Sequence, residues 1–303
     1  MSEQFPPVAE RIVDELLAAD PKLAARSGEH RYDDRLPDYS PDGLANRVRM
    51  LRSAADALAG LDEDALDAQQ KVDHAQLTAL VDSTLFDLTE LREAEWNPLT
   101  HNPGDLLFAL VARPFAPAEQ RLEAIAARLR ALPDALAVAR SSLTNCPRIH
   151  LETGIGQFRG TAGFVQDEVP ALLNEAPALR STVEPAVAEA LTALEEFAQW
   201  LEGQLQPGED GRDPRLGRRQ WEARLWHMLD TDLTATEVMR RAQDNLDKVT
   251  AEIRQAAAEL IGGPANDDTV REALNRLAEE RPDDSSIVAL ARVALDETTA
   301  FVR

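Results

Sequence analysis

The chain has 303 residues, 44% hydrophobic, 28% charged and 5% aromatic, enough to bury a core without disulfide or metal staples. Its 54 acidic against 32 basic residues leave a formal net charge of -22, a repulsive field that argues against nucleic acid as a partner. A single cysteine, Cys146, excludes an intrachain disulfide framework and a thiolate zinc cluster. With no basic leader and no apolar run of about 18 residues, a cytoplasmic protein without membrane attachment is expected.

Alanine and leucine total 90 residues against 24 for isoleucine and valine. That balance of helix formers over strand formers predicts an all-α protein. Val8, Ile12 and Leu16 recur at helical spacing, and Asp20-Pro21 restarts the chain with a capping residue followed by proline at the first helical position. Residues 28–39 show no sustained periodicity and read as a polar loop holding both tyrosines, Tyr32 and Tyr39. Ser40-Pro41 opens the next helix, whose stripe of Leu44, Val48, Leu51, Ala55 and Leu58 stops at Gly60.

A longer stripe, Leu77, Leu80, Val81, Leu85, Leu88 and Leu91, predicts a helix running to Asn97-Pro98. Shorter helices follow Asn102-Pro103 and Pro117, and Pro133 is expected to start another. Between Pro147 and Pro170 four glycines, Gly154, Gly156, Gly160 and Gly163, interrupt an apolar stripe, at about 1 kcal/mol each relative to alanine in a helix. Either the small residues admit a neighbouring backbone, which is the expectation, or the segment is unwound around a cavity.

Val183, Val187, Leu191, Leu194, Phe197, Leu201 and Leu205 form the next stripe, ended by Pro207-Gly208. The polar stretch 207–217 reads as a mobile loop, and the chain divides into an N-terminal helical bundle, 1–206, and a helical continuation, 207–303, the two being separable or continuous. In the continuation, Thr234 to Glu237 is a capping box leading into Val238, Leu246, Val249, Ile253 and Leu260. The last stripe, Ile287, Leu290, Ala294 and Phe301, reaches Arg303 with no closing glycine, asparagine or proline. Ten to twelve helices of irregular length, with no repeat signature, predict an irregular bundle rather than a solenoid.

A helical zinc hydrolase needs two imidazoles one turn apart and an acid. None of the five histidines, His30, His74, His101, His150 and His227, forms that local pair, so neither a metal ligand set nor a His-Glu-x-x-His motif is assigned. His150 and Glu152 are two positions apart and diverge on a helix. No Gly-x-Ser-x-Gly elbow or phosphate-binding glycine turn is present.

Taken in order, Ser40-Pro41-Asp42-Gly43-Leu44, Glu95-Trp96-Asn97-Pro98-Leu99, Ala131-Leu132-Pro133, His150-Leu151-Glu152-Thr153, Phe197-Ala198-Gln199-Trp200-Leu201, Arg215-Leu216-Gly217 and Leu229-Asp230-Thr231-Asp232-Leu233-Thr234 make a pattern that resembles the bacterial domain-of-unknown-function family 885. That resemblance implies a helical relative of zincin-type metallopeptidases, nearly twice this length, whose zinc helix lies in a C-terminal half beyond this sequence. It implies no cofactor in this chain, zinc being expected only in the full-length family.

The expected function is therefore the N-terminal helical part of a zinc-dependent peptidase or related hydrolase, a wall of the substrate channel that is inactive alone. The competing class is a non-catalytic acidic helical module that binds a protein partner. Tyr39, His150, Glu152 and Trp226 are the candidate substrate-binding residues, with no catalytic residue assigned. An exposed apolar surface near residues 285–303 is expected to drive self-association.

Overall fold

The computed structural model describes residues 4–206, 208, 210–229, 233–279 and 281–302. Among these residues there are twelve α-helices of 7 to 27 residues, joined by short 3-10 and π turns and without a strand. The all-α irregular bundle expected from composition is the fold. Two compact units make it up, Met1–Thr231 and Asp232–Arg303.

The first unit begins with α1 (Phe5–Ala19), α2 (Pro21–Ser27), α3 (Pro41–Ala59) and α4 (Ala68–Phe86). Local chemistry sets their starts. The Asp20 carboxylate accepts from the Lys22 and Leu23 amides at 3.0 and 3.1 Å, Ser40 Oγ accepts from the Gly43 amide at 3.1 Å, and Asp67 with Gln70 forms a reciprocal capping box. Each satisfies donors that a helix start leaves open. Phe5, Val8, Ile12 and Leu16 then pack on Leu51, Ala54 and Leu58 of α3 and on Leu77 and Val81 of α4. Buried His74 closes this core by donating from Nε2 to the Leu58 carbonyl at 3.1 Å.

The long helix expected to reach Asn97 instead ends at Phe86. Beyond it the backbone widens into a π turn, Asp87–Leu91, reverses at Arg92 (φ 51), and continues as 3-10 turns Glu93–Glu95 and Pro98–His101. The apolar spacing persists through this change of helix type, which is why periodicity alone does not show it.

The second core of the unit joins α5 (Gly104–Ala112), α6 (Ala118–Ser142), α7 (Arg148–Leu173) and α8 (Arg180–Gln204). Leu122, Ile125, Leu129, Leu132 and Leu136 of α6 meet Phe158, Val165 and Val169 of α7 and Leu194, Phe197 and Leu201 of α8. Pro133, expected to begin a new helix, lies inside α6. An interior proline costs about 3 kcal/mol, whereas each buried leucine on either side of it contributes roughly 2 kcal/mol. Several such leucines share one face, so packing overrides the break.

The same balance carries α7 unbroken through its four glycines. A Cβ on Gly154 would meet Leu201 at 3.3 Å and Leu99 and Pro98 at 3.6 Å, but one on Gly156, Gly160 or Gly163 would meet nothing within 4 Å. Close packing therefore explains one glycine of the four.

α9 (Arg218–Leu229) completes the first unit. In the stretch 207–217 expected to be mobile, residues 207 and 209 lie outside the described residues. The remainder is tied to the α6–α7 turn: the Asp210 carbonyl accepts from the Arg148 amide at 2.9 Å, and the Asn145 carbonyl from the Arg212 amide at 3.3 Å. Gly211 (φ +66) is required there, because a Cβ would lie 2.0 Å from the Cys146 carbonyl oxygen.

The second unit holds α10 (Ala235–Ile261), α11 (Asp267–Glu279) and α12 (Ile287–Val302). Thr234 caps α10 by accepting from the Glu237 amide at 3.2 Å. Ala257 of α10 and Thr269 and Ala273 of α11 are buried, whereas α12 buries no side chain. Leu246 and Ile253 on α10, and Ile287, Leu290, Val293 and Phe301 on α12, are all exposed. Residues 230–232 of the Leu229 to Thr234 motif, and Arg303 at the uncapped end, lie outside the described residues. Among the described residues no helix is long and apolar enough to cross a membrane.

Candidate functional site

The polar loop before α3 is held from behind. Arg128 of α6, 1% exposed, donates from Nε to the Arg35 carbonyl at 3.0 Å and from Nη1 to the Leu106 carbonyl at 2.6 Å. His30 of the same loop stacks on Phe115 with ring centroids 3.7 Å apart. These anchors deliver Tyr39, the last loop residue before the Ser40 cap, to the junction of α2, α3 and the 3-10 turn Pro98–His101.

Tyr39 stands edge-on to His101, centroids 4.9 Å apart, with the Lys22 ammonium 5.8 Å from its ring centre. Lys22 Nζ donates to the Thr100 carbonyl at 2.7 Å, and His101 Nε2 donates to the Ala94 carbonyl at 2.8 Å. Burial sets the protonation of this group. It pushes Tyr39 up to about 12 and His101 down to about 4, and it lowers Lys22 against the opposing pull of Asp20 and Asp105. At neutral pH the phenol and imidazole are uncharged.

Lys22, Tyr39 and Thr100 form a wall between two cavities. One, of about 240 Å³, is lined by Leu106, Leu132 and Val138 together with His101, Asp38 and Asp134. The other, of about 320 Å³, is lined by Asp20, Arg47, Asp87, Glu93 and Arg224. In the second, Arg47 Nη2 contacts Asp20 at 2.5 Å and Arg224 Nη1 contacts Glu93 at 2.8 Å. The π turn places Asp87 at its mouth, and α9 is fastened to that turn by Gln220 Nε2, which donates to the Glu90 carbonyl at 2.9 Å. Lys22 also borders two further hollows, of about 440 and 290 Å³, the first reaching Gly160 and Thr161 of α7.

A model of the family described as bacterial protein of unknown function (DUF885) matches residues 21–303. The chain belongs to that family. No curated protein matches this DUF885 chain. Its fold is similar to a solved structure described as that of a putative lipoprotein of unknown function from Shewanella oneidensis, with TM-score 0.78 and 21% identity, covering 99% of this chain and 57% of that one. The DUF885 chain thus spans 57% of the length of that relative.

The four candidate residues read from the DUF885 sequence fall in three places. Tyr39 borders both cavities. His150 stacks on Trp96 with ring centroids 5.6 Å apart, the Arg212 guanidinium lies 4.2 Å from the centre of the same Trp96 ring, and His150 Nδ1 is buried without a partner. Glu152 is exposed and paired with Arg148 at 2.9 Å. Trp226 is exposed on α9, edge-on to His227 at 5.0 Å, two positions from Arg224. Lys22, Arg47, Asp87, Glu93 and His101 carry no motif and escaped the sequence reading; only the Asp20-Pro21 cap pointed to their neighbourhood. Among the described residues no three His, Cys, Asp or Glu side chains are grouped to hold a metal ion.

Proposed function

We propose that this chain is the substrate-binding helical part of a peptidase or related hydrolase, with the paired cavities around Tyr39 as the surface that receives substrate. The observation that carries the reading is the convergence of Lys22, Tyr39, Arg47, Asp87 and Arg224, from three helices, a loop and a π turn, on hollows of ligand size. Such convergence of charged groups on a concave surface has no folding benefit that apolar side chains would not supply better. In this role Tyr39 offers a flat apolar face and a neutral hydroxyl, while Lys22 and Arg47 offer fixed cations.

Zinc-dependent hydrolysis enters through the family resemblance, and the described residues do not fit a zinc site. No metal-dependent step is therefore assigned to them. The exposed stripes of α10 and α12 support a further role as surfaces that additional polypeptide covers. Calorimetric titration with zinc, alongside a peptidase assay, is expected to give neither tight binding nor turnover with these 303 residues. Extension by any in-frame downstream coding sequence is expected to bring both. Stoichiometric zinc and hydrolysis by the present chain would overturn the reading, and capture of a stable protein partner without peptide binding would favour a non-catalytic module.

A further inference from the structure

His101, at the end of the 3-10 turn Pro98–His101, is 9% exposed, and only one of its ring nitrogens is satisfied. Nε2 donates to the Ala94 carbonyl at 2.8 Å, which fixes the tautomer and leaves Nδ1 as a lone-pair acceptor. Burial keeps the ring uncharged down to about 4. Nδ1 has no partner among the described residues and, unlike the enclosed Arg47 Nε, it retains open surface. Of the four hollows around Lys22, His101 borders only the one of about 240 Å³, so that surface opens there.

The neighbouring polar groups do not satisfy Nδ1. Tyr39 meets the imidazole ring to ring, with centroids 4.9 Å apart, and Lys22 donates to the Thr100 carbonyl instead. Asn102 Oδ1 is taken by the Gly104 amide at 2.7 Å and the Thr161 hydroxyl at 2.9 Å. Asp38 and Asp134, at the border of the cavity, are exposed to water. Leu36, Leu106, Leu132 and Val138 supply apolar walls. A single neutral acceptor set among such walls favours an apolar group that carries one hydrogen-bond donor.

Size narrows the choice. An apolar cavity of about 150 Å³ holds benzene, so this one accommodates a substituted aromatic ring with its methylene stem. A phenylalanine ring would fill the walls and leave Nδ1 unmet, and a small alcohol would meet Nδ1 and leave the walls uncovered. Building on the reading of this surface as a substrate site, we propose that the cavity bounded by His101, Leu106 and Leu132 is a selectivity pocket for a tyrosine side chain of a peptide, whose phenol hydroxyl donates to His101 Nδ1.

The test is isothermal titration calorimetry of the full chain with N-acetyl-tyrosinamide, N-acetyl-phenylalaninamide and N-acetyl-O-methyltyrosinamide, and with a long end-blocked peptide that lacks tyrosine. The tyrosine probe is expected to bind at least about tenfold more tightly than the other two amides, which cannot donate to Nδ1. His101→Leu is expected to remove that preference, with a circular dichroism melt to check the fold. Ala135→Phe, at a partly buried position of α6 that borders the cavity, is expected to fill it and weaken the tyrosine probe by at least about tenfold while His101 stays in place. In the unaltered protein labelled with nitrogen-15 histidine, the His101 Nδ1 resonance is expected to move with the tyrosine probe and not with the phenylalanine probe, a readout that holds even if His101→Leu fails to fold.

Equal affinity for the tyrosine and phenylalanine probes, no binding of the tyrosine probe, an unmoved Nδ1 resonance, or a preference that survives His101→Leu overturns the proposal. Binding of the long peptide alone would sink the tyrosine pocket and leave the broader substrate surface standing. Selective binding of the tyrosine probe without the long peptide would do the opposite.

Discussion

Arg128 and Arg35 are joined across 93 positions of sequence by a 3.0 Å hydrogen bond from the Arg128 guanidinium to the Arg35 carbonyl. The guanidinium sits at 1% exposure, 3.7 Å from the Asp33 carboxylate, and burial pushes its pKa down to about 10. A desolvated cation is retained here because it fixes the loop that presents Tyr39.

Replacing Arg128 by methionine would leave the Arg35 and Leu106 carbonyls unmet and Asp33 without its cation. The expected loss is ~3 kcal/mol in urea denaturation, with Arg128→Lys intermediate because it keeps charge but not the planar fork. Ligand affinity at the Tyr39 cavities should fall in the same order. A methionine variant of unchanged stability would show that the anchor is dispensable.

His101 makes folding sensitive to acid. Burial holds its folded pKa near about 4, below the ordinary 6.5, so the unfolded chain takes up the proton first and stability rises with pH between those values. Acidification through this window costs up to ~3 kcal/mol from this residue. His101→Gln removes the titration, and its stability relative to the parent should improve as pH falls from neutral to about 4. Parallel stability curves for the two proteins would contradict the assignment.

The glycines of α7 should separate into two classes. Gly156→Ala and Gly163→Ala place a methyl in open space and should each stabilise by about 0.5–1 kcal/mol. Gly154→Ala must push Leu201 aside and should gain less or lose outright. Thermal melts of the three single variants decide the point, and uniform behaviour would refute the distinction.

The uncovered stripes of the second unit predict that the isolated chain binds apolar dyes and self-associates as concentration rises. Leu246→Glu combined with Ile253→Glu, both at exposed positions of α10, should reduce dye binding and shift sedimentation toward monomer. Stability should move by no more than about 0.5 kcal/mol for each exposed change. Monomeric, dye-free behaviour of the parent chain would count against these stripes as binding surfaces.

Much of the helix inventory could be read in advance because its causes are local. Asp20-Pro21, Ser40-Pro41 and Thr234 announce helix starts through groups a few residues away, and the stripes of α1, α3 and α8 follow one helical period. Of the candidate site, Tyr39 was visible as an aromatic residue in a polar loop. Lys22, Arg47 and Arg224 looked like ordinary surface charges. His101 looked like any lone histidine.

Composition and periodicity by themselves determined an all-α chain, the starts of most helices and an apolar face on the last of them, since backbone propensity and side-chain spacing act within a few turns. Tertiary structure alone decided that α6 continues through Pro133, that α7 keeps its glycines in register, and that Lys22, Tyr39, Arg47, Asp87 and Arg224 meet around shared cavities. Those outcomes depend on burial and on charges brought together from distant segments, and energies of that kind exist only once the chain has folded.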